Sequence, residues 1–180
     1  MFSTPAGYSQ DDFPKKRGMF GIRIGHVGSG TIKGEEKATG EKAEGDSEAV
    51  TTYGIYLDYP IMLKLYAGIA IDIAPIELRN ENKSIINGGL TVKYTLTNSN
   101  SKVIFRPAVQ VGYAALPSFS KYKSSNFITL LISGETIIKM ADKFGLSADI
   151  GLFWGLSGGN NEYDVTGGSM LILRGGLVFL

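Results

Sequence analysis

Residues 63–75 read LKLYAGIAIDIAP, a stretch in which aliphatic side chains take every second position. Leu65 and Ile69 fall on one face of an extended chain, and Lys64 and Asp72 fall on the other. Because a β-strand directs successive side chains to opposite faces, the pattern predicts a strand with one apolar and one polar face. The fold then depends on whether the apolar face packs into a dry core or meets lipid.

Seven further segments alternate in the same way, and helical periodicity is absent along the chain. They are residues 19–27, 51–59, 88–97, 103–113, 127–135, 144–156 and 170–180. The links between the eight segments alternate between long and short, the first being a charged, glycine-rich link of 22 residues (28–49). In an up-and-down meander this places every long loop at one end and every tight turn at the other. The sequence therefore predicts eight antiparallel strands with four long, mobile surface loops.

The composition excludes several classes of function. The net charge is +1 and the basic residues are scattered, so no basic surface for nucleic acid is expected. There are no cysteines, which excludes disulfides, thiolate metal sites and cysteine catalysis. No apolar run reaches the roughly 18–20 residues of a membrane-spanning helix. If the chain crosses a membrane, we expect it to cross with strands.

The polar face of the strands carries mostly small residues and a few charges of both signs. An eight-stranded barrel has an interior just wide enough for side chains to fill, which suits small residues. Charged groups in such an interior need partners because an unpaired buried ion is costly. We therefore predict a plugged polar lumen with a structural network of paired charges. The predicted members are Arg23, Asp58, Lys64, Asp72, Lys93, Arg106, Glu135, Asp149 and Arg174.

The other face is large and apolar, with aromatic residues near the strand ends. Outer-membrane barrels place rings of aromatic residues at both membrane–water interfaces. Strands of about nine to eleven residues span a bilayer when they tilt near 45°, and a closed barrel pairs every backbone group within lipid. We therefore predict that lipid lies outside the barrel. The predicted interfacial aromatics are Tyr53, Tyr59, Tyr94, Tyr113, Trp154 and Phe179.

In this pattern the chain resembles the small eight-stranded outer-membrane barrels, a group that includes the OmpA transmembrane domain, OmpX and OmpW. The resemblance covers residues 18–180 and rests on the alternation of strands and of loop lengths. It implies an all-β, closed eight-stranded antiparallel up-and-down transmembrane β-barrel in the outer membrane of a Gram-negative bacterium. Residues 1–17 are expected to form a polar N-terminal extension without the layout of a signal peptide, so we expect the numbering of an exported chain to be that of a mature or re-engineered form.

The resemblance is incomplete at the last residue, because relatives of this kind end in a strand with a final aromatic residue, whereas here Phe179 is penultimate and Leu180 is last. The resemblance also implies partners and a range of roles. The implied partners are outer-membrane lipid and lipopolysaccharide, and an envelope protein reached through the long loops or the barrel wall. The implied roles are envelope anchoring or integrity, adhesion, or membership of an envelope complex, and the fold does not choose among them.

Two enzymes of this architecture, PagP and PagL, modify lipid A and provide an alternative function. The chain has one histidine, His26, and Ser29 or Ser47 with Asp46 or Glu48 would complete a Ser–His–acid set. A nucleophile needs an oriented base, and nothing in the sequence orients this histidine. We therefore expect no enzyme, with an outer-membrane lipid-modifying enzyme as the alternative.

Two further possibilities are a metal site and a soluble barrel. Oxygen ligands occur in residues 160–164 (NNEYD) and 44–46 (EGD), but without the spacing of a calcium loop. We expect no metal and no cofactor. A soluble lipocalin-like ligand-binding barrel also alternates, and it is the second alternative. Such a barrel would gather the apolar face in a central core and leave the charges in water.

Overall fold

The structure is a computed structural model that describes residues 18–78, 81–98, 101–118 and 124–180, so the predicted N-terminal extension (1–17) lies outside the described residues. Within these ranges, no helix is long and apolar enough to cross a membrane. The strands are β1 (Met19–Val27), β2 (Gly30–Glu36), β3 (Lys42–Ser47), β4 (Val50–Pro60), β5 (Leu65–Leu78), β6 (Glu81–Tyr94), β7 (Val103–Leu116), β8 (Ser125–Ala141), β9 (Phe144–Gly159), β10 (Tyr163–Gly167) and β11 (Ser169–Phe179).

Eight of these strands form a closed barrel. Around the wall they run β1, β4, β5, β6, β7, β8, β9 and β11, each antiparallel to the next. β11 then pairs with β1, with Phe179 opposite Phe20, and this pairing closes the sheet. Each of the eight segments predicted from alternation overlaps one of the eight barrel strands. The prediction of a closed, all-β, eight-stranded antiparallel barrel is confirmed.

The register of the strand pairs sets the tilt and width of the barrel. Followed from pair to pair around the wall, the register that starts at Phe20 in β1 arrives at Ser169 in β11. Phe20 itself pairs with Phe179, so the closed sheet is staggered by the ten residues between Ser169 and Phe179. In eight strands such a stagger corresponds to a strand tilt of about 40° and an interior that side chains can fill.

The two ends of the barrel differ. At one end, here called the turn end, β1 begins, β11 ends, and short links join β4 to β5 and β8 to β9. At the opposite end, the loop end, the wall continues as a sheet beyond the barrel. There β10 pairs with both β9 and β2, and β2 pairs with β3. These strands, with the end of β9, are called the surface sheet below.

Residues 28–49, predicted as the first long loop, contain two strands instead. This segment holds the β2–β3 hairpin, whose turn contains Gly40 at a φ of 70°, a left-handed conformation that glycine adopts without steric cost. β5 and β6 likewise continue to Leu78 and Glu81, where a long loop was also expected. A sheet with water on both faces has no apolar face to mark it, so hydrophobic alternation does not reveal its strands.

The large apolar side chains of the barrel face outward. Leu90 is 70% exposed and Ile69 is 51% exposed, whereas the side chains of Asp58 and Arg106 have no exposure at all. A soluble barrel would have the opposite arrangement, with the aliphatic side chains in its core and the charges in water. The lipocalin-like alternative is therefore wrong for this chain.

Aromatic side chains gather at two levels of the wall. Phe20, Tyr59, Tyr94, Phe105, Phe144 and Phe179 lie near the turn end, and Tyr53, Tyr113 and Trp154 lie toward the loop end. The Phe179 ring is centred 6.0 Å from that of Phe20 and 6.1 Å from that of Phe144. At about 3.4 Å per residue and a tilt of about 40°, the stretch of β9 from Phe144 to Trp154 rises about 26 Å, close to the apolar band of outer-membrane barrels. Of the six predicted interfacial aromatics, Trp154 is half-buried and the other five are exposed.

Candidate functional site

The lumen holds two groups of ion pairs, of which the first lies nearer the turn end. This turn-side cluster consists of Tyr56, Asp58, Lys93, Arg106 and Glu135, all buried. Nη2 of Arg106 lies 3.0 Å from the Asp58 carboxylate and 2.5 Å from that of Glu135. Nζ of Lys93 lies 2.9 and 3.1 Å from the same two carboxylates. Two cations thus face two anions, and the cluster carries no net charge.

The second group, the loop-side cluster, consists of Arg23, Asp72, Asp149 and Arg174. Arg23 donates to both oxygens of Asp72, from Nε at 2.9 Å and from Nη2 at 2.7 Å. Arg174 donates from Nε to Asp149 at 2.9 Å and from Nη1 to Asp72 at 3.4 Å. Forked guanidinium–carboxylate pairs of this kind fix both side chains in direction as well as distance. This cluster is also neutral.

The register of the barrel explains why these side chains meet. Arg106, Glu135, Asp149 and Arg174 occupy directly paired positions on the four consecutive strands β7, β8, β9 and β11. The two carboxylates are therefore neighbours, an arrangement that is unfavourable for like charges. A guanidinium group on each outer side neutralises them. The four paired positions therefore carry one positive, two negative and one positive charge in order around the wall, and they link the two clusters.

Glycines provide the space in which the long side chains lie. Gly54 of β4 is paired with Arg23 on one side and with Asp72 on the other, so this ion pair crosses directly over it. A Cβ atom added at Gly54 would lie 2.1 Å from Oδ1 of Asp72 and 3.0 Å from Nε of Arg23. Similarly, a Cβ atom added at Gly21 would lie 2.3 Å from the Tyr56 ring. The glycines at these two positions are thus required by the large side chains beside them.

Eight of the nine residues proposed for the charge network come together in these two clusters, and Lys64 does not. β5 begins at Leu65, so Lys64 belongs to the turn between β4 and β5, where its side chain is half-buried. No ion pair of Lys64 occurs among the residues that the structure describes. Assigning Lys64 to the network was therefore wrong, because alternation gave it the inward parity while the strand starts one residue later.

The lumen also contains uncharged hydrogen-bonding side chains that the pattern of charges did not predict. The Tyr56 hydroxyl donates to Glu135 Oε1 at 2.7 Å, and the Lys93 ammonium lies 3.9 Å from the centre of the Tyr56 ring. Farther toward the loop end, the Thr129 hydroxyl donates to the Asn87 side-chain oxygen at 2.9 Å. Tyr56 has the same parity as Asp58, two residues along β4, and that shared face is the signal that could have identified it.

The residues considered for catalysis are not assembled. His26 has the parity of Ile22 and Ile24, so its exposed ring lies on the outward face of β1. Ser29, Asp46 and Glu48 are exposed at the loop end, and the Ser47 side chain lies outside the described part of the structure. No hydrogen bond or ion pair of the His26 ring occurs among the described residues.

Side chains of both oxygen-rich segments make polar contacts within the surface sheet, including the exposed pair of Glu44 with Lys33. Asn160 Oδ1 accepts hydrogen bonds from the backbone N–H groups of Glu162 and Tyr163, at 2.8 and 2.9 Å. Asp164 forms an ion pair of 3.1 Å with Lys37 in the β2–β3 turn. Across the ranges 18–78, 81–98, 101–118 and 124–180, no three histidine or acidic side chains are grouped so as to hold a metal ion.

Solved structures with a similar fold are small outer-membrane barrels. Neisserial surface protein A (NspA) superimposes with a TM-score of 0.55 at 13% sequence identity, covering 89% of this chain and 96% of its own. The N-terminal β-barrel domain of Pseudomonas aeruginosa OprF gives 0.54 at 10% identity, covering 91% and 100%. No protein-family profile and no curated protein sequence matches this chain. The likeness is one of fold, and the chain has the fold of the small eight-stranded outer-membrane barrels.

Replacing Glu135 by alanine removes a carboxylate that Arg106, Lys93 and Tyr56 share. Two buried cations are then left with Asp58 alone, and the loss of one partner from a buried ion pair costs about 3–5 kcal/mol. We expect the free energy of unfolding to fall by about that amount, measured by urea titration of the barrel in phospholipid vesicles. The matched control is Glu44→Ala, which removes an exposed pair with Lys33 at 3.5 Å and should change stability by less than about 1 kcal/mol. Equal effects of the two variants would contradict a tightly paired lumen.

Gly54→Ala tests the space beneath the Arg23–Asp72 pair. The added methyl group overlaps the Asp72 carboxylate, and overpacking of this kind costs about 1–3 kcal/mol. Gly88→Ala is the control, since a Cβ atom there meets no atom within 4 Å, and it should be neutral or raise stability by about 0.5–1 kcal/mol. Both are measured by the same urea titration. An unchanged midpoint for Gly54→Ala would show that the pair does not need this glycine.

Proposed function

We propose that this chain is an integral protein of a bacterial outer membrane, with a plugged barrel as anchor and its activity in the surface sheet. The observation that supports the proposal is a distribution of residues opposite to that of a soluble protein: the aliphatic residues of the barrel are exposed and its charged residues are buried in pairs. Only a hydrocarbon surrounding makes such an exterior stable. The role would be envelope anchoring or integrity, adhesion, or membership of an envelope complex.

The lumen supports anchoring rather than transport. In the turn-side cluster, Arg106 reaches from β7 to Asp58 on β4 and to Glu135 on β8, so its contacts cross the interior. In the loop-side cluster, Arg174 contacts Asp72 and Asp149 on β5 and β9. An eight-stranded barrel has little interior beyond its own side chains. We infer that vesicles containing this protein would not admit small sugars.

The surface sheet is the part of the protein that would contact a partner molecule outside the membrane. Residues 28–49 contain three lysines and six acidic residues, a net charge of −3. The hairpin is joined to its neighbours by polar contacts, among them a hydrogen bond of 2.8 Å from Lys37 Nζ to the Asn160 carbonyl oxygen. A water-exposed and acidic sheet suits recognition of another molecule at the cell exterior.

The proposal includes no catalytic role. On the neighbouring strands His26 is paired with Thr51 and Leu173, and neither provides a carboxylate to orient the ring. A general base needs both a hydrogen-bonded nucleophile and a group that holds its ring in place. Lipid and lipopolysaccharide are the proposed surroundings of the barrel wall, and they are not proposed as substrates.

Epitope tags at opposite ends of the barrel test this proposal in bacterial cells. One tag is inserted between Thr39 and Gly40 at the tip of the β2–β3 hairpin, and the matched control is inserted between Asp142 and Lys143 in the turn from β8 to β9. We expect antibody to label the hairpin tag on intact cells, and the turn tag only after the outer membrane is permeabilised. Both proteins should stay in the membrane fraction until detergent is added. Labelling of both tags on intact cells, or release without detergent, would contradict the proposal.

A further inference from the structure

The outward wall of the barrel is not uniformly filled, and one groove in it has a volume of about 480 Å³. It lies where β11, β1, β4 and β5 run side by side. Ile24, Tyr53, Ile73 and Leu177 stand along its sides, and the backbone at Gly54 and Gly175 forms part of its floor. Arg23 also contributes to the lining, but its guanidinium group points into the lumen toward Asp72. The surface that the groove presents outward is therefore apolar.

The missing side chain of Gly175 leaves one end of this groove unfilled. Gly175 has the outward parity of Leu173 and Leu177 and is paired with Ile24 on the neighbouring strand. A Cβ atom added at Gly175 would meet only the Ser147 carbonyl oxygen, at 3.7 Å, which is ordinary contact. Large side chains thus surround a position where the backbone comes to the surface. The space can be filled without moving the barrel.

We propose that this groove is a binding site for one acyl chain of a membrane lipid. The inference rests on the proposed location of the barrel in a membrane, because the groove is continuous with the wall that meets hydrocarbon there. An apolar cavity offers water no hydrogen-bond partners, so water is a poor occupant. The volume is within the range of sites that bind small molecules, about 300–1,000 Å³. A flexible hydrocarbon chain matches its apolar chemistry.

The polar end of the groove indicates which leaflet provides the lipid. Tyr53 is paired with Ile24, and two residues farther toward the loop end Thr51 is paired with His26. Thr51 and His26 are both exposed on the outward face. The Tyr53 and Thr51 hydroxyls and the His26 ring can therefore hydrogen-bond to ester or headgroup oxygens at that level. The bound lipid then belongs to the leaflet on the loop side, with its acyl chain running toward the turn end.

Native mass spectrometry of the full-length protein tests this site. The protein is reconstituted into vesicles of phosphatidylethanolamine and phosphatidylglycerol, re-extracted in mild detergent, and examined for lipid that remains bound. We expect the wild-type barrel to retain one phospholipid. Gly175→Leu places a side chain in the groove and should lower the retained fraction about tenfold, the equivalent of losing roughly two buried methylene contacts.

Two further variants keep the result interpretable. Ala115→Leu adds similar bulk to an exposed outward position of β7, on the far side of the barrel, and it should retain lipid as the wild type does. Gly175→Ala is sterically tolerated and should give a partial loss, so a folding defect of the leucine variant would not obscure the effect. Equal retention by the wild type and Gly175→Leu, no lipid on the wild type, or a second protein copy on this face would each overturn the site. Flotation of the protein with vesicles reports membrane insertion separately, so the groove can fail while the proposed location stands.

Discussion

The pairing of β11 with β1 is the constraint on which the rest of this structure depends. An open eight-stranded sheet would leave the N–H and C=O groups of two edge strands unpaired, and hydrocarbon offers them no partner. With Phe179 opposite Phe20, both edges disappear and the sheet acquires an inside and an outside. The period of two along each strand then divides every side chain between two media. The apolar wall, the buried charges and the rings of aromatic residues all follow from that division.

Closure also makes the lumen a place where charge must be balanced locally. The two clusters contain four cations and four anions, and each cluster is neutral by itself. The carboxylates of Glu135 and Asp149 tolerate their adjacent positions because Arg106 and Arg174 flank them. The glycine beneath the Arg23–Asp72 pair provides room that any larger residue would remove. The buried charges and the glycines on the inward face are thus one feature of the sequence.

The sequence was sufficient to predict the barrel strands and which face of each strand points outward, because the alternation of side chains along a strand does not depend on how that strand is paired. It could not predict which cation meets which anion, because the pairing of Arg106 with Glu135 depends on the register of β7 against β8, which alternation does not give. The assignment of Lys64 was wrong because the alternation of side chains in the sequence continues beyond the end of β5, whereas the extended backbone that directs a side chain into the lumen begins at Leu65. The β2–β3 hairpin was missed because a strand with water on both sides needs no alternation. Tyr56 lies on the same face as Asp58, but its side chain is uncharged, so the pattern of charges does not identify it as a member of the network.

The most direct test of the central claim is the accessibility of single nitroxide labels along β6 in phospholipid vesicles. The chain contains no cysteine, so Leu90→Cys, Thr91→Cys and Val92→Cys each give one labelling site without background. Leu90 and Val92 face outward and Thr91 faces the lumen. Labels at 90 and 92 should be relaxed by oxygen, which dissolves in hydrocarbon, and not by a water-soluble nickel chelate. The label at 91 should be relaxed less by oxygen than the labels at 90 and 92, and it should also be shielded from the nickel chelate. Strong relaxation by nickel at 90 and 92 would show that this face meets water, and the account would be wrong.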